Sequence, residues 1–508
     1  MKRYIFLIAA MAFVHIAIGQ GISDGLRYSQ NGVYGTARFQ GLSGAFGALG
    51  GDFSAMGINP AGSAVFIKSE GSISLAINDR ENETNFLNTT TRNADTDVAV
   101  NQIGGVFVIQ NRNTESIWKK LTIGLNYDQT QNHDNEIFVR GTGSNSIGDF
   151  FTSQAQGIPT DLLELHNNET ISSLYSFIGA TEGVAAQNAF LGYQAFIFDP
   201  VDPVNANNSL YNSNIANGSV NQRYNYVSRG YNGKATINVA TQITDKYYLG
   251  VNLNSHSINY AQSTFLSESN DNAGSTIREV AFENQLLVSG TGFSAQVGGI
   301  AKFNGLRIGL SFDTPTWHRI SEETTQSLET IRIENEQSIR NIIAPNIVNV
   351  YEDYNLRTPG KITASAAYIF GKSALLSVDY SIQDYSSLKF DTIYNTIFND
   401  NIFDSLNQSI ENSLKAASSI KIGGEYRIAN ASIRGGFRYE ESPYQNEAIM
   451  GDLVGFSLGG GLNFGRYSLD IAYSRAEQDR TESIYGLNSQ ISNEASFNNV
   501  ALTFGASF

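Results

Sequence analysis

Few side chains in this sequence have the types and spacing that covalent chemistry needs. The histidines His133, His166, His256 and His318 are scattered, with no serine and polar orienter gathered about any of them in the sequence. A lone histidine on a polar face is usually a satisfied hydrogen-bonding group, so the expectation is no enzyme, no metal and no cofactor. The chain has no cysteine, which excludes a lipid anchor on sulfur and a disulfide framework. The glycine-rich stretch from Gly41 to Gly62 is no phosphate loop either, because no lysine occurs between Arg38 and Lys68 to meet a phosphate. What remains is a set of charges, Asp379, Lys421, Glu425, Arg427, Arg434, Arg438, Glu440 and Asp470, which alternation puts on one face of their strands. Those charges can hold a carboxylate in an arginine fork, or pair with one another inside a closed lumen.

The elements that carry these residues read as strands. Leu121, Ile123, Leu125 and Tyr127 oppose Thr122, Gly124, Asn126 and Asp128. The same period returns in Tyr247, Leu249, Val251 and Leu253, in Leu376, Val378, Tyr380 and Ile382, and in Tyr467, Leu469, Ile471 and Tyr473. Composition agrees: 48 Gly, 25 Tyr and 30 Phe stand against 8 Pro and 16% charged residues, which suits twisted strands with aromatic interfaces. The net charge of -15 argues against nucleic acid as a partner.

Two candidate segments precede the strands. Residues 1–19 carry a short basic start and an apolar run from Ile5 to Ile18, the pattern of a cleaved signal peptide with the mature chain beginning at Gln20. Residues 20–69 contain Leu42, Phe46, Leu49, Phe53 and Met56 at helical spacings among glycines, with Asn59-Pro60 expected to end any helix. This segment is expected to be a hatch plugging the barrel of residues 70–508. Phe46, Leu49, Phe53, Met56 and Ile58 are its candidates for a ligand pocket, with packing against the wall as the equal alternative.

Loop lengths choose a membrane barrel over a soluble sandwich. Short connections fall near Asn111 to Trp118, Thr244-Asp245-Lys246, Asn304-Gly305, Gly371-Lys372-Ser373, Ala429-Asn430 and Gly465. Long, Asn-rich ones are expected near 79–98, 131–229, 261–280, 313–345, 386–411, 441–450 and 478–493. Six turns and seven loops give thirteen connections and an all-β antiparallel barrel of fourteen strands. The last strand ends on Phe508, with Val500, Leu502, Phe504 and Ala506 in the same outward row. A two-residue turn at Ala429-Asn430 would set Glu425 opposite Arg434 and Lys421 opposite Arg438.

Three stretches together resemble the FadL-type outer-membrane transporters of long-chain fatty acids and other hydrophobic compounds. They are Asn59-Pro60-Ala61-Gly62, similar to the family's hatch motif; Leu356-Arg357-Thr358-Pro359-Gly360 with Tyr380 to Tyr385; and Gly423-Gly424-Glu425-Tyr426 with Ile433 to Tyr439 and Ser442-Pro443. The resemblance implies a Gram-negative outer membrane and passive uptake of a hydrophobic small molecule. It implies capture outside, passage to a pocket beside the hatch, and sideways exit through the wall into outer-membrane lipid. The chain departs from the family in its dominant external excursion, the loop 131–229. There Leu162, Leu163, Leu165, Leu174, Phe177, Phe196 and Phe198 could form a greasy dock or a surface for another protein. The second reading makes the barrel a structural or shuttle subunit of a larger outer-membrane machine, as in type IX secretion.

Overall fold

A computed structural model of the chain describes residues 21–113, 115–393, 403–487 and 489–508; the expected signal peptide lies outside these. Fourteen antiparallel strands close a barrel. They are β1 Glu70–Phe86, β2 Thr89–Gln110, β3 Trp118–Asn132 continued as Asn135–Gly143, β4 Val220–Ile243, β5 Tyr247–Ser269, and β6 Ile277–Phe303. There follow β7 Leu306–Asp313 with Thr316–Glu334, β8 Tyr354–Thr358 with Lys361–Phe370, β9 Ala374–Asp384, β10 Ala416–Ile428, β11 Ala431–Glu440, β12 Leu453–Phe464, β13 Tyr467–Ser483 and β14 Gln490–Ser507. Closure comes from β1 on β14, with Glu70 opposite Ser507 and Phe86 opposite Ile491.

Alternation is obeyed around the wall. Tyr247, Leu249, Val251 and Leu253 are exposed on the outside while Asn252 and Asn254 are buried within, and β9 and β13 repeat the pattern. An outward apolar belt over a polar interior is the mark of a barrel solvated by lipid. No helix among the described residues is long and apolar enough to cross a membrane. Phe508 stays on the outside beside Phe107, and its N–H donates to Ser69 O at 2.9 Å, tying the chain end to the start of the barrel.

All six short turns lie where the sequence puts them, at one end. The long loops are different from expectation. Residues 79–98 form no loop: β1 and β2 run on as a paired hairpin turning at Leu87-Asn88, both at positive φ. Likewise β5 and β6 extend into 261–280, β7 into 313–345 with a further strand Gln337–Ile343, and β13 and β14 into 478–493. The physical reason is a reversal of polarity. Beyond the belt the inward residues become apolar, as with Phe86, Leu266, Phe282 and Leu328, and the outward ones polar, so the strands no longer read as membrane strands.

Those inward residues cover a cap built from the 131–229 excursion. Its helices are α3 Ile147–Ala155, α4 Thr160–Leu163, α5 Ile171–Thr181 and α6 Val184–Gln194; α1 Ile22–Ser29 and α2 Ala37–Gln40 belong to the hatch, and α7 Asp404–Ser413 to a later loop. Phe151, Leu163, Tyr175, Ile178, Phe190 and Phe198 are fully buried between the cap helices and the strand ends. Glu268 on β5 anchors α3, accepting from Ile147 N at 2.9 Å and Gln222 Nε2 at 2.8 Å. Most of the apolar residues expected as a dock are therefore the cap's own core.

Candidate functional site

The N-terminal segment 21–69, the expected hatch, lies inside the short-turn half of the barrel with its backbone directly on the wall. Inward glycines make this possible: Gly250, Gly309, Gly423 and Gly436 meet its backbone, while Gly124 and Gly298 admit the side chains of Met56 and of Asn59 and Pro60. A Cβ at Gly250 would stand 2.5 Å from Pro60 O, and one at Gly423 2.7 Å from Leu42 O. Here glycine serves close backbone approach rather than turning. The segment 41–62 is no continuous helix, since Gly44, Gly50 and Gly51 sit at positive φ. Asn59-Pro60 begins a helical turn instead of ending one: Asn59 caps the 3-10 segment Pro60–Val65 by accepting from Ala61 N at 3.1 Å. Asn59 Nδ2 also donates to Gly47 O at 2.8 Å and to Gly299 O on β6 at 3.1 Å. Ala61 and Gly62 are buried, and Gly62 O accepts from Gly51 N at 3.0 Å.

The five hatch residues separate. Phe46 and Leu49 pack with Phe39, Leu42 and the wall residues Ala367 and Leu375. Phe53 and Met56 pack with Phe66 and Val106, the Phe53 and Phe66 rings 5.1 Å apart. Ile58 alone of the five borders the cavity above the hatch.

That cavity is mixed rather than greasy. Val33, Ile58, Leu453 and Phe497 face it beside arginines, lysines, carboxylates, hydroxyls and amides from β1 to β3, β8 to β11, β13 and β14. It reaches the wall between β2 and β3, where the wall is broken. The ladder of main-chain pairs between these strands runs from Gln110 opposite Lys120 to Gln102 opposite Asp128 and stops. Thr130 is a bulge in the pairing of β3 with β4, and a bulge bends its strand. After His133-Asp134 the continuation Asn135–Gly143 lies against the inner face of the β1–β2 hairpin, where Asn82 Nδ2 donates to Glu136 O at 2.9 Å and Phe138 N to Asn93 Oδ1 at 3.2 Å. Across the break no main-chain ladder joins β2 to its neighbours; the links nearest the ladder's end are between side chains, Asn132 Nδ2 to Asp97 Oδ1 at 2.7 Å and Arg229 Nη1 to Asp95 Oδ2 at 2.6 Å. The hatch takes up part of the vacated edge, Gly32 N donating to Thr130 O at 2.9 Å. Sequence reading missed this break because Asp128 to Asp134 looks like the start of a polar loop; a bulge leaves no periodicity to find.

The lumen charges pair with one another. Glu425 accepts from Arg434 Nε at 2.7 Å, from Arg38 of the hatch at 2.9 Å, and from Arg427 at 2.6 Å, while Arg434 Nη1 reaches Asp470 at 2.6 Å. Arg438 and Lys421 share Glu440 at 3.4 and 3.8 Å. Asp379 receives the N–H groups of Phe46 and Gly47, both at 2.9 Å, so it too holds the hatch. The histidines are less scattered than the sequence implies, since the rings of His256 and His318 meet at 5.6 Å inside the barrel. Of the external apolar residues, Leu163 is buried, Leu162 is half-buried against the cap core, and Phe177 and Phe196 are exposed, Arg332 lying over the Phe196 ring at 4.3 Å.

Among solved structures, a Pseudomonas aeruginosa FadL homologue matches with a TM-score of 0.53 at 12% identity, over 94% of this chain and 99% of that one. The P. putida toluene transporter TodX matches with a TM-score of 0.51, also at 12% identity, over 94% and 99%. This chain has the FadL-type fold. No family model matches the sequence, and no curated protein does. Within the FadL-type fold the hatch, the cavity above it and the break beside β3 form one continuous feature.

Proposed function

We propose that the protein sits in a bacterial outer membrane and takes up hydrophobic molecules passively, releasing them sideways through the break between β2 and β3. The observation that carries this reading is the end of the β2–β3 ladder at Gln102 and Asp128, at the level where the cavity meets the wall. The hatch blocks the axial route, because Pro60, Leu42 and Gly47 rest on wall glycines and Arg38 is tied to Glu425. A solute that enters from the long-loop end therefore leaves most easily where no main-chain ladder closes the wall. The exposed outward residues of β2 along the break are Val98 and Val100, and Ile103 is the first below it, so the exit opens at the edge of the apolar belt. A lateral exit spares a greasy molecule the aqueous space beyond.

The related fold of the toluene transporter TodX supports a hydrophobic cargo. The mixed lining here suits an amphiphile such as a long-chain fatty acid better than a bare hydrocarbon, since charged and amide groups left without a partner are costly around an apolar guest. The test is uptake of a labelled long-chain fatty acid by cells producing the protein, run beside sensitivity to a polar antibiotic. Uptake should rise with no gain in antibiotic sensitivity. No uptake, together with a stoichiometric protein partner on gentle extraction, would overturn the reading in favour of a machine subunit.

A further inference from the structure

We infer that the outside of the barrel wall carries a docking site for the phosphorylated glycolipid of the outer leaflet. It is formed by Arg357 of β8 and Lys389 of the short strand Lys389–Thr392, beside Trp317 of β7. The site rests on the outer-membrane placement proposed above and is independent of uptake. Strand register sets these residues in one outward row: Phe293 of β6 stands opposite Trp317, Trp317 opposite Arg357, and Arg357 opposite Lys389. Their chain neighbours Leu356 and Phe390 are buried on the other face. Like charges directly opposite each other on paired strands are destabilising, and an anion held between them removes that cost. Among the described residues neither cation's side chain makes a hydrogen bond or an ion pair.

The carboxylates of the neighbouring strands leave this charge in place. Asp353 accepts from Arg319 Nε at 2.8 Å and from Ser321, Asp384 accepts from Ser386 N at 3.1 Å, and Asp313 takes Lys361 at 3.5 Å. Asp391, one outward place along from Lys389 and opposite Asn355, pairs with neither cation, so one uncommitted carboxylate stands against two positive charges. The row also lies at the edge of the apolar belt. Below it Phe312, Ile362 and Ile382 face outward in register and are exposed. Above it the outward places are Thr291, Arg319, Asn355 and Asp391. This is the long-loop end, which faces outside in an outer-membrane barrel, and an aromatic such as Trp317 suits the level of the head groups. Acyl chains lying on Phe312, Ile362 and Ile382 would bring a lipid's phosphate to the two cations, arginine meeting it as a fork and lysine as a point charge. Trp317 to Lys389 spans two strand spacings, about 10 Å. A sugar head with several phosphates covers that span and meets both cations, whereas a phospholipid's single phosphate meets one.

The experiment measures binding of radiolabelled short-chain lipopolysaccharide to the full chain, purified in a neutral maltoside detergent with a chelator present to remove divalent cations. The competitors are the same lipid chemically stripped of phosphate, and phosphatidylglycerol. Wild type should bind the phosphorylated glycolipid about tenfold more tightly than either competitor. The double variant Arg357→Glu, Lys389→Glu should lose that preference, and Arg357→Lys with Lys389→Arg should keep most of it. A control with the same change in net charge, Lys246→Glu with Lys372→Glu on the short turns, should bind as wild type. Heat-modifiable gel migration checks that each variant is folded. Equal binding of the dephosphorylated lipid, a preference retained by the Arg357→Glu, Lys389→Glu variant, or an equal loss in the short-turn control would overturn the site. Equal binding of phosphatidylglycerol would overturn the assignment to the glycolipid. None of these results bears on uptake, which has its own assay above.

Discussion

Arg434 on β11 stands directly opposite Glu425 on β10, and its Nε donates to Glu425 Oε2 across 2.7 Å with both side chains almost completely buried. The Ala429-Asn430 turn fixes this register, and the pair also joins wall to hatch because Arg38 uses the same carboxylate oxygen. Arg434→Glu would face Glu425 and Asp470 with a third carboxylate. Breaking a buried pair this way costs about 3–5 kcal/mol. Arg438→Glu should cost much less, since its opposite neighbour is Lys421. Urea unfolding in detergent, followed by gel migration, should rank Arg434→Glu well below Arg438→Glu; equal midpoints would contradict the network.

The glycine seat predicts a separable hatch defect. Gly250→Val places side-chain carbons where Pro60 lies, so the hatch should lift while the barrel closes normally. Trypsin should then cut at Arg27 or Arg38, and polar antibiotics should leak in. Gly424→Ala, whose Cβ would stand 3.7 Å from Leu375 O, should behave as wild type. Resistance of Gly250→Val to trypsin would show that the seat is not tight.

Phe53→Asp distinguishes packing from ligand contact. Phe53 is 5% exposed with its ring tilted against that of Phe66, so even a protonated carboxyl without a partner there costs about 2–7 kcal/mol, and the ionised form more. The expected outcome is a loosened, protease-sensitive hatch with general leak. Loss of fatty-acid uptake without leak would instead assign Phe53 to the ligand path.

Phe508 closes the outward row of β14 and is 68% exposed beside Phe107. Phe508→Asp should lower the amount of assembled protein in the outer-membrane fraction while leaving what does assemble heat-modifiable. Wild-type levels would deny Phe508 a part in assembly.

The barrel was legible because membrane strands alternate without relief. Leu249 to Asn254 and Leu376 to Asp379 name their faces by residue type, and a two-residue turn such as Ala429-Asn430 carries that legibility into register. The outer extensions were not legible. Around Phe86, Leu266 and Phe282 the buried face changes from polar to apolar, so a pattern tuned to the belt reads them as loop. The glycine-rich make-up of 41–62 was legible, whereas the seat of that segment on the wall depends on Gly250, Gly298 and Gly423, whose partners lie far away in the chain. The break at Thr130 is a tertiary fact, since it depends on how β3 pairs with β4.

The most direct test of the central claim is to lock the break. With no native cysteine, Asp97→Cys and Asn132→Cys can be introduced as a pair at side chains that now touch at 2.7 Å, and joined by oxidation or a short thiol cross-linker. A control pair, Ile103→Cys with Tyr127→Cys, spans the intact ladder just below. Labelled fatty-acid uptake should be lost when the Asp97–Asn132 pair is joined, return on reduction where the link is a disulfide, and be unaffected by joining the control pair. Undiminished uptake through the locked break would contradict lateral release between β2 and β3.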